Sequence, residues 1–392
     1  MKVLITNYDM EIGGVERSLA SMLANFDYDN HQVDLHLHSH TGPLMGLIDA
    51  RTNLLPENLI CKTFRLGIKD LFLSGFIGIA VNRLIARLMA NLYAKRTGSK
   101  NCDYFQMQTI WDKCINHVLP ANGEYDVAIS YLWPHHYTAF NVNAKKKIAW
   151  IHTDYSKIEI DNLADLKVWQ KFDHIVSISD ACTDAFLSVY PSLKDKIILV
   201  ENLTNPEYVR EMAKKPMEKP FSLGFNLVSV GRLCNAKAFD RAVEVLAVLH
   251  SRGYKDINWY IVGEGRDRYL IEEKIKQYGL KDNFVLLGST VNPYPYMKNA
   301  DIYLQPSRYE GKAVTVAEAL ILSKPVIITN YATASSQILN NNGLICEQCV
   351  DAIADEIINL YKNEELRKSL VDTNKKACHL NADELKKLYS VF

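Results

Sequence analysis

Short apolar runs rich in Val and Ile alternate along this chain with longer stretches of helical periodicity, a pattern that predicts parallel sheets covered by helices on both faces. In the first half the strand candidates are residues 3–6, 33–38, 60–64, 127–130, 148–151, 175–178 and 197–200. After Asn202 the alternation lapses. Residues 206–220, with Lys214-Lys215-Pro216 and Lys219-Pro220, mix prolines with charges as an interdomain connection does. A second series follows at 227–230, 259–262, 284–287, 302–304, 326–329 and 344–346, and helical patterns at 351–380 and 382–391 close the chain. The expected architecture is α/β: two Rossmann-like domains, residues 1–205 and 206–380, with parallel sheets facing across a cleft, and a terminal helix at 381–392.

Composition narrows the picture. A chain of 392 residues, 48% hydrophobic, is long enough for two cored domains and is neither disordered nor fibrous. Lys plus Arg and Asp plus Glu are equal at 45 each, so net charge gives no reason to expect nucleic acid as a partner. The N-terminal apolar run is too short for a signal peptide and starts like a first buried strand. The nearest approach to a membrane span, residues 71–81, is too short and is interrupted by Ser74 and Gly75, so a cytoplasmic protein is expected. Eight scattered cysteines, at 61, 102, 114, 182, 234, 346, 349 and 378, lack the spacing of a disulfide framework, and Cys346-Glu-Gln-Cys349 has no second pair for zinc. No metal is expected.

The chemistry concentrates in the second half. Ser307 to Leu320 reads as a strand-to-helix turn that places Glu310 before a helix, with Gly311 at its mouth, and Glu318 within it. A helix N-terminus presents unpaired N–H groups and partial positive charge, which suits a phosphate, and flanking carboxylates suit hydroxyl-rich groups on either side. Upstream, a buried strand ends in Gly231 and Arg232, followed by Lys237 before the next helix. In doubly wound sheets ligands bind outside the carboxyl ends of strands, so these cations and the Ala313 helix mouth converge on one anionic group.

Gly231-Arg232 with Lys237, then Val262-Gly263-Glu264-Gly265, then Glu310 and Glu318 with seven residues between, resemble the signature of the family-4 retaining glycosyltransferases of GT-B fold. The resemblance covers the C-terminal half and, more weakly, the Gly13-Gly14-Val15-Glu16 loop and His152. It implies transfer from a nucleotide diphosphate sugar, with uridine the expected nucleotide, to a saccharide or lipid-linked saccharide acceptor in envelope polysaccharide synthesis. No cofactor is then required: Arg232 and Lys237 offset the charge growing on the leaving diphosphate. Glu318 would accept from the ribose hydroxyls, and Glu310 with the backbone that follows it, Gly311, Lys312, Ala313 and Val314, would hold the donor sugar. His152 would face that sugar, Gly14 would let backbone approach the phosphate or acceptor, and Gly263 would lie in a loop near the nucleotide. The last helix would return to the N-terminal domain. Front-face transfer is the account the resemblance favours; a double displacement with Glu310 as nucleophile is the competing one. Ala238 stands where glycine usually follows the lysine, and Lys312-Ala313 replaces an aromatic-glycine pair, which adds positive charge beside the donor sugar. A nucleotide-sugar epimerase of the same fold and a non-catalytic binding partner of another transferase are the alternatives.

Other motifs carry less. Gly263-Glu-Gly265 meets the dinucleotide fingerprint only in part, since Arg268 occupies the third glycine's place. Asp27-Tyr-Asp29 matches a D-x-D metal motif but lies in a helix-to-strand loop far from the proposed site. His36, His38 and His40 share one strand face, read as structural before metal-binding. The segment 64–100 interleaves large apolar residues with Arg65, Lys69, Arg83, Arg87, Lys95 and Arg96; it reads either as a helix lying on an anionic membrane surface or as an ordinary domain-surface helix.

Overall fold

The computed structural model describes residues 1–98, 102–377 and 381–392. The ends of the apolar and basic segment at Lys100 and of the helical pattern at Leu380, together with Cys378, lie outside the described residues. The chain divides into two units, Met1–Glu201 with Asp383–Phe392, and Asn202–Ala382.

In the first unit seven strands, β1 (Lys2–Asn7), β2 (Gln32–Leu37), β3 (Asn53–Leu54), β4 (Glu124–Ser130), β5 (Asn143–Ile151), β6 (His174–Ser177) and β7 (Ile197–Leu199), form one parallel sheet in the order β3-β2-β1-β4-β5-β6-β7. Strands buried on both faces need apolar side chains at successive positions, which is why Val3, Leu4 and Ile5 are all fully buried and the runs are so legible. Ile5 pairs with Leu35 on one side and Ile129 on the other, so the chain reverses its direction of travel across the sheet between β1 and β4.

Residues 60–64 are a helix, not the expected strand. The Asn58 side chain accepts from the Ile60 and Cys61 N–H groups and starts the Leu59–Thr63 turn, a cap that outweighs a short apolar run compatible with either state. The terminal helix Glu384–Tyr389 belongs to this unit: the Tyr389 ring lies 5.3 Å from Phe26 and 5.2 Å from His31, and its hydroxyl accepts from the Asp27 N–H at 2.9 Å. Asp27-Tyr-Asp29 is therefore the seat of this helix.

The second unit holds β8 (Phe225–Val230), β9 (Ile257–Val262), β10 (Phe284–Gly288), β11 (Ile302–Gln305), β12 (Val326–Thr329) and β13 (Leu344–Cys346), parallel in the order β10-β9-β8-β11-β12-β13. Leu227 of β8 faces Trp259 of β9 on one side and Ile302 of β11 on the other, so the topological switch falls between β8 and β11. Successive strand residues feed opposite cores: Trp259 packs with Phe239, Val243 and Ile353, Tyr260 with Val209, Tyr303 and Val316. The expected connection at 206–220 is in part a helix, Pro206–Met212, capped by Asn205 and anchored through Val209 in that second core. The pattern at 351–380 breaks into two helices, Val350–Lys362 and Glu364–Lys376, because the Asn363 side chain caps the second by accepting from the Leu366 N–H. No helix among the described residues is long and apolar enough to cross a membrane.

Candidate functional site

Two loops leave the switch point of the second sheet, one after β8 and one after β11, and the structure stitches them together. The Arg308 N–H donates to the Ala236 carbonyl at 2.7 Å, and the Arg308 guanidinium donates to the Asn235 carbonyl at 2.7 Å and to both carboxylate oxygens of Asp240 at 2.8 Å. Arg241 returns the link by donating to the Pro306 carbonyl at 2.7 Å. Burial pulls the Asp240 carboxyl upward, but Arg308 outweighs it and leaves its pKa below the ordinary range.

Within this frame the Lys237 ammonium donates to Glu310 Oε1 at 2.6 Å. The same oxygen accepts from Ser307 Oγ at 2.5 Å and from Gln305 Nε2 at 3.2 Å, while Gln305 Oε1 accepts from the Tyr303 hydroxyl at 2.6 Å. The relay Tyr303, Gln305, Ser307, Glu310 thus fixes the carboxylate from the buried end of β11 outward. Tyr303 is fully buried, which raises its phenol well above the ordinary range, and the charges of Glu318 and Glu310 push it further in the same direction. One buried hydroxyl feels both carboxylates.

The glycines make room for this packing. A Cβ on Gly231 would meet the Lys237 stem at 3.2 Å, so the lysine lies across the glycine at the end of β8. A Cβ on Gly263 would fall 1.9 Å from the Gly231 carbonyl oxygen and one on Gly265 2.3 Å from that of Leu233, so the β8 and β9 loops nest in backbone contact.

The Val314–Ile321 helix follows Glu310. Glu318, 3% exposed, accepts from the Tyr294 hydroxyl at 2.7 Å. Gly311 and Lys312 are half-buried in the loop before the helix, and Thr333 Oγ1 donates to the Glu310 carbonyl at 3.2 Å. At the helix mouth Ala313 and Val314 are buried, and the Ala313 N–H donates to Gln337 Oε1 at 3.3 Å, whose amide donates back to the Ala313 carbonyl at 2.9 Å. Arg232 is exposed and makes no ion pair among the described residues.

Gly14 and His152 belong to the first unit. Gly14 is exposed at the start of the Gly14–Ala24 helix after β1. His152 follows β5, with its ring 4.8 Å from Tyr131 and parallel to Trp150 at 6.3 Å. His36 stacks on Tyr137 at 4.7 Å, His38 meets Tyr8 and Tyr137 edge-on, and His40 Nε2 is 3.0 Å from the Leu55 carbonyl, so the three act as packing and turn residues. Among the described residues no group of three or more His, Cys, Asp and Glu side chains is placed to hold a metal. Cys346 is buried, its thiol pushed up to about 12, and Cys349 is exposed; both are free.

Residues that sequence reasoning missed are the supports: Gln305, Ser307, Arg308, Asp240 and Tyr294. A signal existed for one. Gln305 is a fully buried amide closing an otherwise apolar strand, and a buried polar group needs partners.

Residues 217–377 match the model of the family described as Glycosyl transferases group 1. An uncharacterized glycosyltransferase of Methanocaldococcus jannaschii is 29% identical over 217 residues, covering 50% of this chain and 51% of that protein. The amylovoran biosynthesis glycosyltransferase AmsD of Erwinia amylovora is 27% identical over 144 residues, covering 36% of this chain and 40% of that one. The match therefore spans about half or less of these relatives' length. Among solved structures, a mutant of S. aureus TarM in complex with fondaparinux, α-GlcNAc-glycerol and UDP aligns with 100% of this chain and 99% of its own at a TM-score of 0.67 and 15% identity, a likeness of fold. Residues 217–377 thus match the glycosyl transferases group 1 family, in a chain that shares the GT-B fold.

Proposed function

We propose that this protein is a retaining glycosyltransferase that moves a hexose or N-acetylhexosamine from a uridine diphosphate sugar to a saccharide or lipid-linked saccharide acceptor in envelope polysaccharide synthesis, on the cytoplasmic side of the membrane. The observation that carries the reading is the Lys237–Glu310 pair at 2.6 Å, set at the carboxyl ends of β8 and β11 where the sheet order reverses. A fixed ammonium there meets the negative charge that grows on a leaving diphosphate, and Arg232, exposed at the end of the same strand, adds a planar cation able to bridge two oxygens. Glu318 serves the ribose hydroxyls and Glu310 the sugar hydroxyls. The UDP and α-GlcNAc-glycerol bound to TarM support the donor and the sugar class, and the amylovoran enzyme supports the polysaccharide role.

We read Glu310 as a positioning group: three donors converge on its Oε1 and hold the carboxylate in one orientation.

A thermal-shift screen over nucleotide sugars, repeated with Lys237→Ala and Glu318→Ala, tests the assignment, and the anomeric configuration of the product tests retention. Expected are stabilisation by one uridine diphosphate sugar and its loss in both variants. Variants that keep the wild-type response and turnover overturn the site. Donor turnover without acceptor and without release of free nucleotide would identify an epimerase.

A further inference from the structure

The Ile77–Thr97 helix of the first unit is amphipathic in the opposite sense to a core-packed helix. Its buried positions are mostly small: Ala80, Ala86 and Ala90, with Ile79. Its large apolar side chains face outward, with Ile77 59%, Leu88 62% and Leu92 66% exposed, and Val81, Leu84, Ile85 and Met89 exposed beside them. At 3.6 residues per turn these seven fill an arc of about 140° opposite the alanines. The preceding helix, Ile68–Leu73, exposes Phe72 and Leu73 as well. Among the described residues, 11 of the 21 exposed large apolar side chains fall between Leu59 and Leu92, a concentration that marks an interaction face.

The charge around this face is one-sided. Lys62 and Arg65 are paired with Glu57 and Asp9, and Arg83 donates to the Thr63 and Leu66 carbonyls, which leaves Lys69, Arg87, Lys95 and Arg96 without an ion pair among the described residues against the single acid Asp70. We propose that this face docks on an anionic lipid bilayer, with the helix lying in the interface: Leu, Ile, Val and Met enter the acyl boundary while the cations meet the headgroups. Charge complementarity selects lipid over a second copy of the chain, because two copies joined through this face would bring Lys69, Arg87, Lys95 and Arg96 of each against their like. The helix does not span the bilayer, since no described helix is long and apolar enough to do so. The basic segment is also tied to the carboxyl edge of the first sheet. Arg65 donates to Asp9 Oδ2 at 2.6 Å and lies 3.7 Å over the Tyr8 ring, in the loop that leaves β1. A docked protein would hold that edge close to the headgroups. The purpose of the contact rests on the reading of a lipid-linked acceptor; its test uses neither donor nor acceptor.

The test is co-sedimentation of the full chain with vesicles of phosphatidylcholine alone and of phosphatidylcholine containing about one third phosphatidylglycerol. Wild type is expected to bind the anionic vesicles at least about tenfold more tightly than the neutral ones, and to weaken as salt is raised. Leu88→Asp with Leu92→Asp should abolish binding, and Arg87→Gln, Lys95→Gln and Arg96→Gln should each weaken it about fivefold on anionic vesicles only. Circular dichroism and melting midpoints confirm folding of the variants. Wild type that stays in the supernatant overturns the proposal, as does an aspartate variant that sediments like wild type. A wild-type dimer that Leu88→Asp with Leu92→Asp converts to monomer, without vesicle binding, names a second copy as the occupant and also overturns it. Thermal response to uridine diphosphate sugars, measured on the same proteins, keeps the two readings apart: its absence in all of them counts against the transferase reading alone.

Discussion

Lys237 donates to Glu310 at 2.6 Å although 73 residues separate them, with their side chains only 19% and 11% exposed. Removing either partner leaves the other charge half-stranded in a poorly hydrated loop, whereas removing both does not. Lys237→Ala and Glu310→Ala should each cost about 1–2 kcal/mol of stability, less than the about 3–5 kcal/mol of a fully buried broken pair because some solvent reaches both groups, and the double variant should cost less than their sum. Turnover behaves differently. Lys237→Ala should lower it by about a hundred- to a thousandfold, the scale of a lost oxyanion donor, and the double variant should not recover it. Denaturant melts and initial rates on the three variants check both halves.

Two glycines of the same loops separate folding from function. Gly263→Ala drives a methyl into the Gly231 carbonyl, 1.9 Å away, and backbone cannot step aside as a side chain does. It should destabilise the second unit by about 1–3 kcal/mol. Gly231→Ala meets only the Lys237 stem, at 3.2 Å, which gives way by rotating. Its cost should appear as reduced turnover from a displaced ammonium, with the melting midpoint nearly unchanged. Thermal melts paired with rate measurements read the two substitutions apart.

Ala238 adopts φ +55°, in the left-handed region, at a fully buried position. Glycine there would relieve about 1 kcal/mol of backbone strain but lose the burial of one methyl, worth about 0.8 kcal/mol. Ala238→Gly should therefore leave stability within about 0.5 kcal/mol of wild type, which accounts for alanine being tolerated where the family motif has glycine. Ala238→Val, branched at Cβ, should cost at least about 2 kcal/mol. Urea titrations of the two variants decide it.

Much of the fold is readable in the sequence because both sheets are covered on both faces, so each strand must carry apolar residues in succession; all six strands of the second sheet stand out on that ground. The reading failed where a short apolar run met a cap it had not weighed, at Asn58, and where one polar residue inside a long helical pattern, Asn363, divided it. At the site, Lys237 and Glu310 were visible as charged groups at strand ends. Their supports were not, because the bonds from Arg308 to Asp240 and from Tyr294 to Glu318 join positions 68 and 24 apart and leave no local trace. Arg232 and Arg308 look equivalent along the chain; only the fold leaves the first exposed and makes the second a strut.

The buried histidines of the first unit give its stability a defined response to acid. Burial lowers the pKa of His36 to about 4 and holds His38 and His135 well below their ordinary value, with the rings 6%, 5% and 1% exposed. Above pH about 6.5 these rings are neutral whether the chain is folded or not, and their contribution is fully present. As pH falls below that value the unfolded chain binds protons that the folded chain refuses, so stability is lost progressively toward pH 4. The loss should run at about 1.4 kcal/mol per pH unit for each ring, or about 4 for the three. His38→Phe keeps an aromatic ring against Tyr8, Tyr137 and Trp111 and should remove about a third of that slope. Urea unfolding followed by tryptophan fluorescence between pH 7.5 and 5.5, on wild type and His38→Phe, measures it. Equal slopes for the two proteins would show that His38 is not among the groups that set the acid limit.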